Sequence, residues 1–270
     1  MPTFTGKTFS SFYKNLLGLN QFSNAGVDST AVSVQDGAGQ NTAIRLSDDK
    51  LVVAPQNDNT TTTFNVTNAG GSSILAVDTT NSKVLIGASQ VAANTQYAHF
   101  GVDSASSSSF AADTHYAIPF VQGDSGGILP AMGSSTSSSF NDTNPATSLT
   151  LTTGVTFYIN CYWYVMDNIT IDAVKWFHGA DTATGDDNAA HLMAYTVDIA
   201  NGSTGVNLSA GTVVADGATI TNAGQEQIYY QAMTIQSADV DAGKVILFTF
   251  ASDTVNSDYS INATVKYHIR

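Results

Sequence analysis

From Tyr259 to the end of the chain, apolar and polar residues take turns: Tyr259, Ile261, Ala263, Val265, Tyr267 and Ile269 alternate with Ser260, Asn262, Thr264, Lys266 and His268. Side chains leave a strand on opposite faces in turn, so this pattern specifies a long strand with one side on a core and the other in water. A one-residue slip would expose the whole apolar set, so the strand also fixes the register of the sheet around it. A second alternation predicts a strand with Phe157, Ile159, Cys161, Trp163 and Val165 on one face and Tyr158, Asn160, Tyr162 and Tyr164 on the other. Further strands are expected over 116–120, 148–152, 169–177, 191–197, 212–214, 227–233 and 244–250, with no helical period between them. About eight or nine strands over 113–270 predict an antiparallel β-sandwich of jelly-roll type.

Upstream the strands are shorter. Candidates are 31–34, 43–46, 51–53, 64–66, 74–77 and 83–86, separated by turn sequences such as Asp36-Gly37-Ala38-Gly39 and Asn68-Ala69-Gly70-Gly71. Asn, Asp and Gly tolerate the left-handed backbone that tight turns need. With about two or three apolar residues per strand, one chain has too little apolar surface to close a core. Three copies wrapped around an axis would bury those residues between chains, which predicts a trimeric intertwined β shaft over 27–103; a small monomeric β-domain is the alternative. The Ser-rich run 104–109 predicts a joint over 104–112.

Residues 1–26 carry the one helical period in the chain. Phe9, Phe12, Tyr13, Leu16 and Leu17 recur on one face of a helix over 8–17, with Thr8 to cap it and Gly18 to stop it. So short a helix is marginal alone in water, so its apolar face must dock, either on its own chain or in a groove of a larger assembly. The second is preferred, because the segment that follows offers no globular surface. The expected fold class is therefore all-β, with an N-terminal amphipathic helix, a trimeric shaft and a C-terminal sandwich.

Composition narrows the function. Charged residues make up 11% of the chain, and Glu226 is its only glutamate. Asp favours turns where Glu favours helix interiors, in keeping with strands joined by many turns. A net charge of −13 with nine Lys and Arg leaves no basic patch for nucleic acid and disfavours anionic membranes. No eighteen-residue apolar run predicts a membrane span, and no continuous apolar core of a secretory signal is seen. The single cysteine, Cys161, excludes a disulfide within one chain and reads as a buried, inert thiol.

Several strings imitate active sites. Gly123-Asp124-Ser125-Gly126-Gly127 has the form of a chymotrypsin-like nucleophile loop. A Ser attacks only when a His takes its proton and an Asp orients that His. His99 and His115 lie upstream in no matching context, so a Gly-rich turn is expected and no catalytic residue is assigned. Asp181 to Asn188 lacks the ligand spacing of a calcium loop and reads as a solvated turn. His178 and His191 flank it without a carboxylate at fixed spacing, so neither a metal nor a cofactor is expected. Tyr158, Tyr162 and Tyr164 share one predicted strand face, with Trp176, Tyr229 and Tyr230 on other strands, and the first three are the candidate glycan-binding residues, since aromatic rings stack on sugar faces. The competing expectation, given greater weight, is that this face packs as core or as a subunit contact.

The stretch from Phe64 to Gly87 resembles the repeat-like β segments of tailed-bacteriophage fibres. The order of helix, thin β region, Ser-rich joint and β-sandwich is similar to that of fibre or appendage proteins of marine phages, including those infecting cyanobacteria. The resemblance implies a non-enzymatic virion protein that forms a homotrimer. It would dock to other virion proteins (tail, portal-adaptor or capsid) through its N-terminus and meet a host-surface glycan or protein with its sandwich. A head fibre or capsid decoration protein is the near alternative, and a monomeric carbohydrate-binding module the distant one.

Overall fold

A computed structural model describes residues 16–21, 26–87, 91–105, 111–123, 129–134, 145–151, 158–180, 185–198, 206–224, 226–254 and 259–270. The chain divides into two compact units, Met1–Ala93 and Asn94–Arg270. Both are all-β, built almost wholly of antiparallel sheets.

The first unit contains two four-stranded meanders. One is β1 (Leu17–Leu19), β2 (Val32–Asp36), β3 (Asn41–Leu46) and β4 (Leu51–Val53); the other is β5 (Phe64–Thr67), β6 (Ser73–Asp78), β7 (Lys83–Ile86) and β8 (Val91–Ala92). Their leading hairpins turn by the same chemistry. Asp36 Oδ1 accepts the Gln40 amide at 2.8 Å, and Asn68 Oδ1 accepts the Ser72 amide at 2.9 Å. Gly39 and Gly71 each take φ +84°, open to glycine at no steric cost. The second turns match as well, closing at Leu46–Leu51 and Asp78–Lys83. The turns of β2–β4 and β5–β7 thus repeat at an offset of 32 residues (36 to 68, 39 to 71, 46 to 78, 51 to 83), while the far end of the first hairpin pairs one residue out of step with the second, Val32 with Leu46 against Phe64 with Val77.

The N-terminal helix expected over 8–17 is corrected where it can be described. Leu17 lies in β1, paired with Asp36, and Leu16 immediately precedes that strand. Phe9, Phe12 and Tyr13 lie outside the described residues. A helix of under three turns has little stability of its own, whereas the free edge of β2 offers backbone pairing to Leu17–Leu19.

In the second unit the strands are β9 (Thr95–Ala105), β10 (Thr114–Ile118), β11 (Val121–Gly123), β12 (Ala131–Ser134), β13 (Leu149–Leu151), β14 (Trp163–Tyr164), β15 (Ile169–Ala180), β16 (Asp187–Asp198), β17 (Val206–Asp216), β18 (Ile220–Thr221), β19 (Gln227–Ala232), β20 (Thr234–Ile235), β21 (Asp239–Val240), β22 (Lys244–Ser252) and β23 (Tyr259–Ile269). A nine-stranded sheet runs β12-β10-β22-β16-β17-β13, with β14, β18 and β20 on its flanks. A six-stranded sheet runs β11-β9-β23-β15-β19, with β21 beside β15; only β11 and β9 pair in parallel. The unit begins at Asn94, so β9 belongs to it. The expected boundary at 113 cut this strand off, and Ser104 and Ala105 of the expected joint are its last two residues. Residues 106–110 lie outside the described residues.

The sheets face each other across one core. The alternating set Tyr259, Ile261, Ala263 and Val265 points into it beside Phe100, Val174 and Trp176. Ile118, Leu192, Ile246, Phe248 and Phe250 come from the opposite sheet. Trp176 sits 5.9 Å from the Phe250 ring and 6.3 Å from Phe248, with its indole N–H donated to Gln231. The nine-stranded sheet is buried on its other face too, where Met193, Tyr195, Leu208, Val245 and Leu247 pack against Tyr158 and Cys161. Asn188–Tyr195 and Val245–Ser252 are therefore buried without interruption, as strands covered on both sides must be.

Candidate functional site

The three tyrosines named as candidate glycan-binding residues are separated by the structure. Tyr158 and Ile159 open a helical turn in place of the predicted strand, with the Cys161 amide donating to the Tyr158 carbonyl at 2.9 Å. Tyr158 is buried and donates its hydroxyl to the Ala131 carbonyl. Tyr162 packs against the same cluster, and burial pushes its phenol up to about 12. Tyr164, in β14, is instead 53% exposed. The bare outer side of the nine-stranded sheet must be covered, and this segment covers it. Cys161 is buried there with its thiol pushed up to about 12 by desolvation, so at neutral pH it is a protonated thiol.

The motifs that imitate active sites assemble no reactive group among the described residues. Ser125 and residues 181–184 lie outside them. His178 and His191 sit on different sheets, in β15 and β16. The His178 ring is stacked 4.9 Å from both Trp176 and Tyr229, with Nε2 2.9 Å from Asn222 Oδ1. Burial lowers it to about 4, against the hydrogen bond the ring donates to Asn222. His191 is lowered to about 4 by burial alone, its ring 5.0 Å from that of His115. Asn188, expected in a solvated turn, is a buried residue of β16. Asp186 accepts the Tyr259 hydroxyl at 2.9 Å, and Ser252 meets the same hydroxyl at 2.9 Å. Among the described residues, no three His, Cys, Asp or Glu side chains converge to hold a metal ion.

Two open surfaces remain. The first belongs to the meanders. Cross-strand partners share a face, so Phe64, Val66, Leu75, Val77, Val84, Ile86 and Val91 line one side of the second meander, without a polar residue among them. Val32, Ile44, Leu46, Leu51 and Val53 do the same in the first. Leu51 is 65% exposed and Ile86 52%, and Ala76, on the opposite face, is the one described apolar residue of this unit that is buried. Contiguous exposed apolar rows of this kind mark interaction surfaces when they are large.

The second is the solvent side of the six-stranded sheet. One cross-strand row runs Tyr230, Phe177, Asn262, Gly101; the next runs Ile228, Gly179, Ser260. Phe177 and Tyr230 touch, with ring centroids 4.9 Å apart, and Lys175 Nζ lies 5.9 Å from the Tyr230 centroid. Ile228 is 79% exposed. Beside them a shallow depression is lined by Phe177, Gly179, Ile228, Ser260, Asn262 and Asp103, and Ser260 donates its hydroxyl to Asp103 at 3.3 Å. Sequence reasoning reached Tyr230 as an aromatic on another strand but missed Phe177 and Ile228, although the signal is visible: Phe177 is apolar on the parity opposite to the buried Trp176, and Tyr230 and Ile228 stand on the parity opposite to Tyr229. The chain matches no protein-family model and no curated protein.

Proposed function

We propose that the chain is a structural subunit of a virion fibre of the tailed-bacteriophage type, assembled as a homotrimer through its first unit and carrying its second unit for attachment to a host surface. The observation that carries this reading is the pair of meanders, each with one largely apolar face that its own chain covers only in part. A folded chain that exposes such faces gains by covering them, and a second and third copy supply the same surface. Each meander pairs its strands within its own chain, and packing of these faces between intertwined copies would cover them. The 32-residue repeat suits a shaft, because stacked units add length without a new fold.

The second unit supports the attachment role. Its long strands, taken as β9-β23-β15-β19 and β10-β22-β16-β17, follow the sheet order of an eight-stranded jelly roll. Three copies on one body turn weak contacts into firm ones through avidity. Docking to other virion proteins falls to the residues ahead of β1.

Light scattering on the intact chain tests the assembly. A mass three times 28.2 kDa is expected. The double variant Leu51→Asp, Ile86→Asp should bring it down to one subunit while the near-ultraviolet signal of the second-unit aromatics persists. A monomer or dimer mass for the unaltered chain would overturn the proposal, as would a trimer indifferent to both substitutions.

A further inference from the structure

We infer that the solvent face of β19-β15-β23 is a saccharide-binding site, with Phe177, Tyr230 and Ile228 taking the C–H face of a pyranose and Asn262, Ser260 and Asp103 meeting its hydroxyls. A pyranose has two kinds of surface. Its ring face presents polarised C–H groups that pack on aromatic rings, and its rim presents hydroxyls that both donate and accept. The sheet offers the complement in adjacent columns: the rings and Ile228 stand on β15 and β19, and the polar side chains on β23 and β9. Asn262 supplies donor and acceptor from one amide, Asp103 accepts, and Ser260 does either.

Gly179 is the independent sign that something approaches here. It sits within β15 at an ordinary strand conformation, so no left-handed backbone requires glycine. A Cβ placed there would meet only the Gln227 carbonyl, at 4.0 Å, so no packing forbids a side chain either. Glycine inside a strand weakens it, and one of its uses is to let a ligand come close. A side chain at 179 would stand between Ile228 and Ser260 and fill the depression between the apolar and polar columns.

The site lies wholly within the second unit and does not depend on how many copies assemble. It supplies the ligand class for the attachment role proposed above, and its test separates the two. Saturation-transfer NMR on the full chain would use the methyl glycosides of β-galactose, β-glucose, α-mannose and N-acetyl-β-glucosamine at millimolar concentration, where single weak sites fill. At least one should receive transfer, concentrated on the ring protons of one face. Tyr230→Ala should weaken that binding roughly tenfold or more, the loss of one stacking partner. Gly179→Val should abolish it while the thermal midpoint stays level or rises, because valine suits a strand better than glycine. A merely structural glycine would give the reverse. No transfer to any of the four glycosides, or transfer unchanged by both variants, overturns the site. A change of subunit number in Tyr230→Ala also overturns it, by making the face a contact between copies.

Discussion

The two units are written in the same strand-and-turn language, yet they are held in opposite ways. In the first, each strand pairs with its neighbour in sequence, and the turn side chains Asp36 and Asn68 set the register. In the second, the defining pairs span most of the unit: β9 lies along β23, where His99 meets Thr264 across 165 residues. Local pairing is quick and needs no core, whereas pairing at that separation must recover a large loop-closure entropy through burial. The second unit accordingly has a core of large side chains, and the first has open apolar faces. That contrast predicts where a substitution acts: core truncation should unfold the second unit, and face or turn changes should alter assembly or local opening in the first.

The largest effect is expected at Trp176, fully buried between the sheets against Phe248 and Phe250. Trp176→Ala should cost about 3–5 kcal/mol, the range for emptying a large aromatic site. Urea titration followed by near-ultraviolet dichroism would read it. A cost under about 1 kcal/mol would mean that the core of the second unit collapses readily around a void, and the contrast with the first unit would weaken.

Acid comes next. His178 and His191 are held neutral to about pH 4, whereas an unfolded histidine takes its proton near 6.5. The unfolded state therefore binds more protons between those values, and stability falls as pH drops from about 6.5 towards about 4, by up to roughly 3 kcal/mol per histidine. Asp253, raised by burial and then by Asp187, Asp186 and Asp113, works against this, since it protonates more readily when folded. The sequence places no histidine before His99, so the first unit should not share the loss. His191→Leu should flatten the slope of urea midpoint against pH. An unchanged slope would show that the imidazole is not kept neutral.

Much of this contrast was legible in the residues, for physical reasons that also mark where legibility ends. β4 and β7 fall on their predicted bounds, Leu51–Val53 and Lys83–Ile86, because both are short apolar runs between turn residues. The alternation from Tyr259 did specify a strand with one face in the core. The period-two pattern at 157–165 misled, because a helical turn at Tyr158 lays that ring and Cys161 together on a sheet that is covered on both sides and leaves Ile159 exposed. β9 was overlooked: its inward set Ala98, Phe100 and Val102 alternates clearly, but its partner lies at the far end of the chain. The exposed Phe177–Tyr230 pair depends on tertiary pairing of β15 with β19, which no local window contains.

The smallest effect probes the repeat itself. Gly39 and Gly71 occupy equivalent turns at the same φ of +84°, and neither has an atom within 4 Å of a would-be Cβ. Substitution by alanine at either site meets no clash, so its cost is the backbone cost of a left-handed residue, about 1 kcal/mol. Gly39→Ala and Gly71→Ala should therefore destabilise their hairpins alike, read as faster hydrogen exchange at the amides of Gln40 and Ser72, which the turn carboxylate and amide oxygens hold. Equal costs make the meanders two copies of one mechanical unit, each closed by its own turn. If one glycine proves indispensable and the other neutral, only one hairpin is held by its turn, and the two meanders are not one mechanical unit.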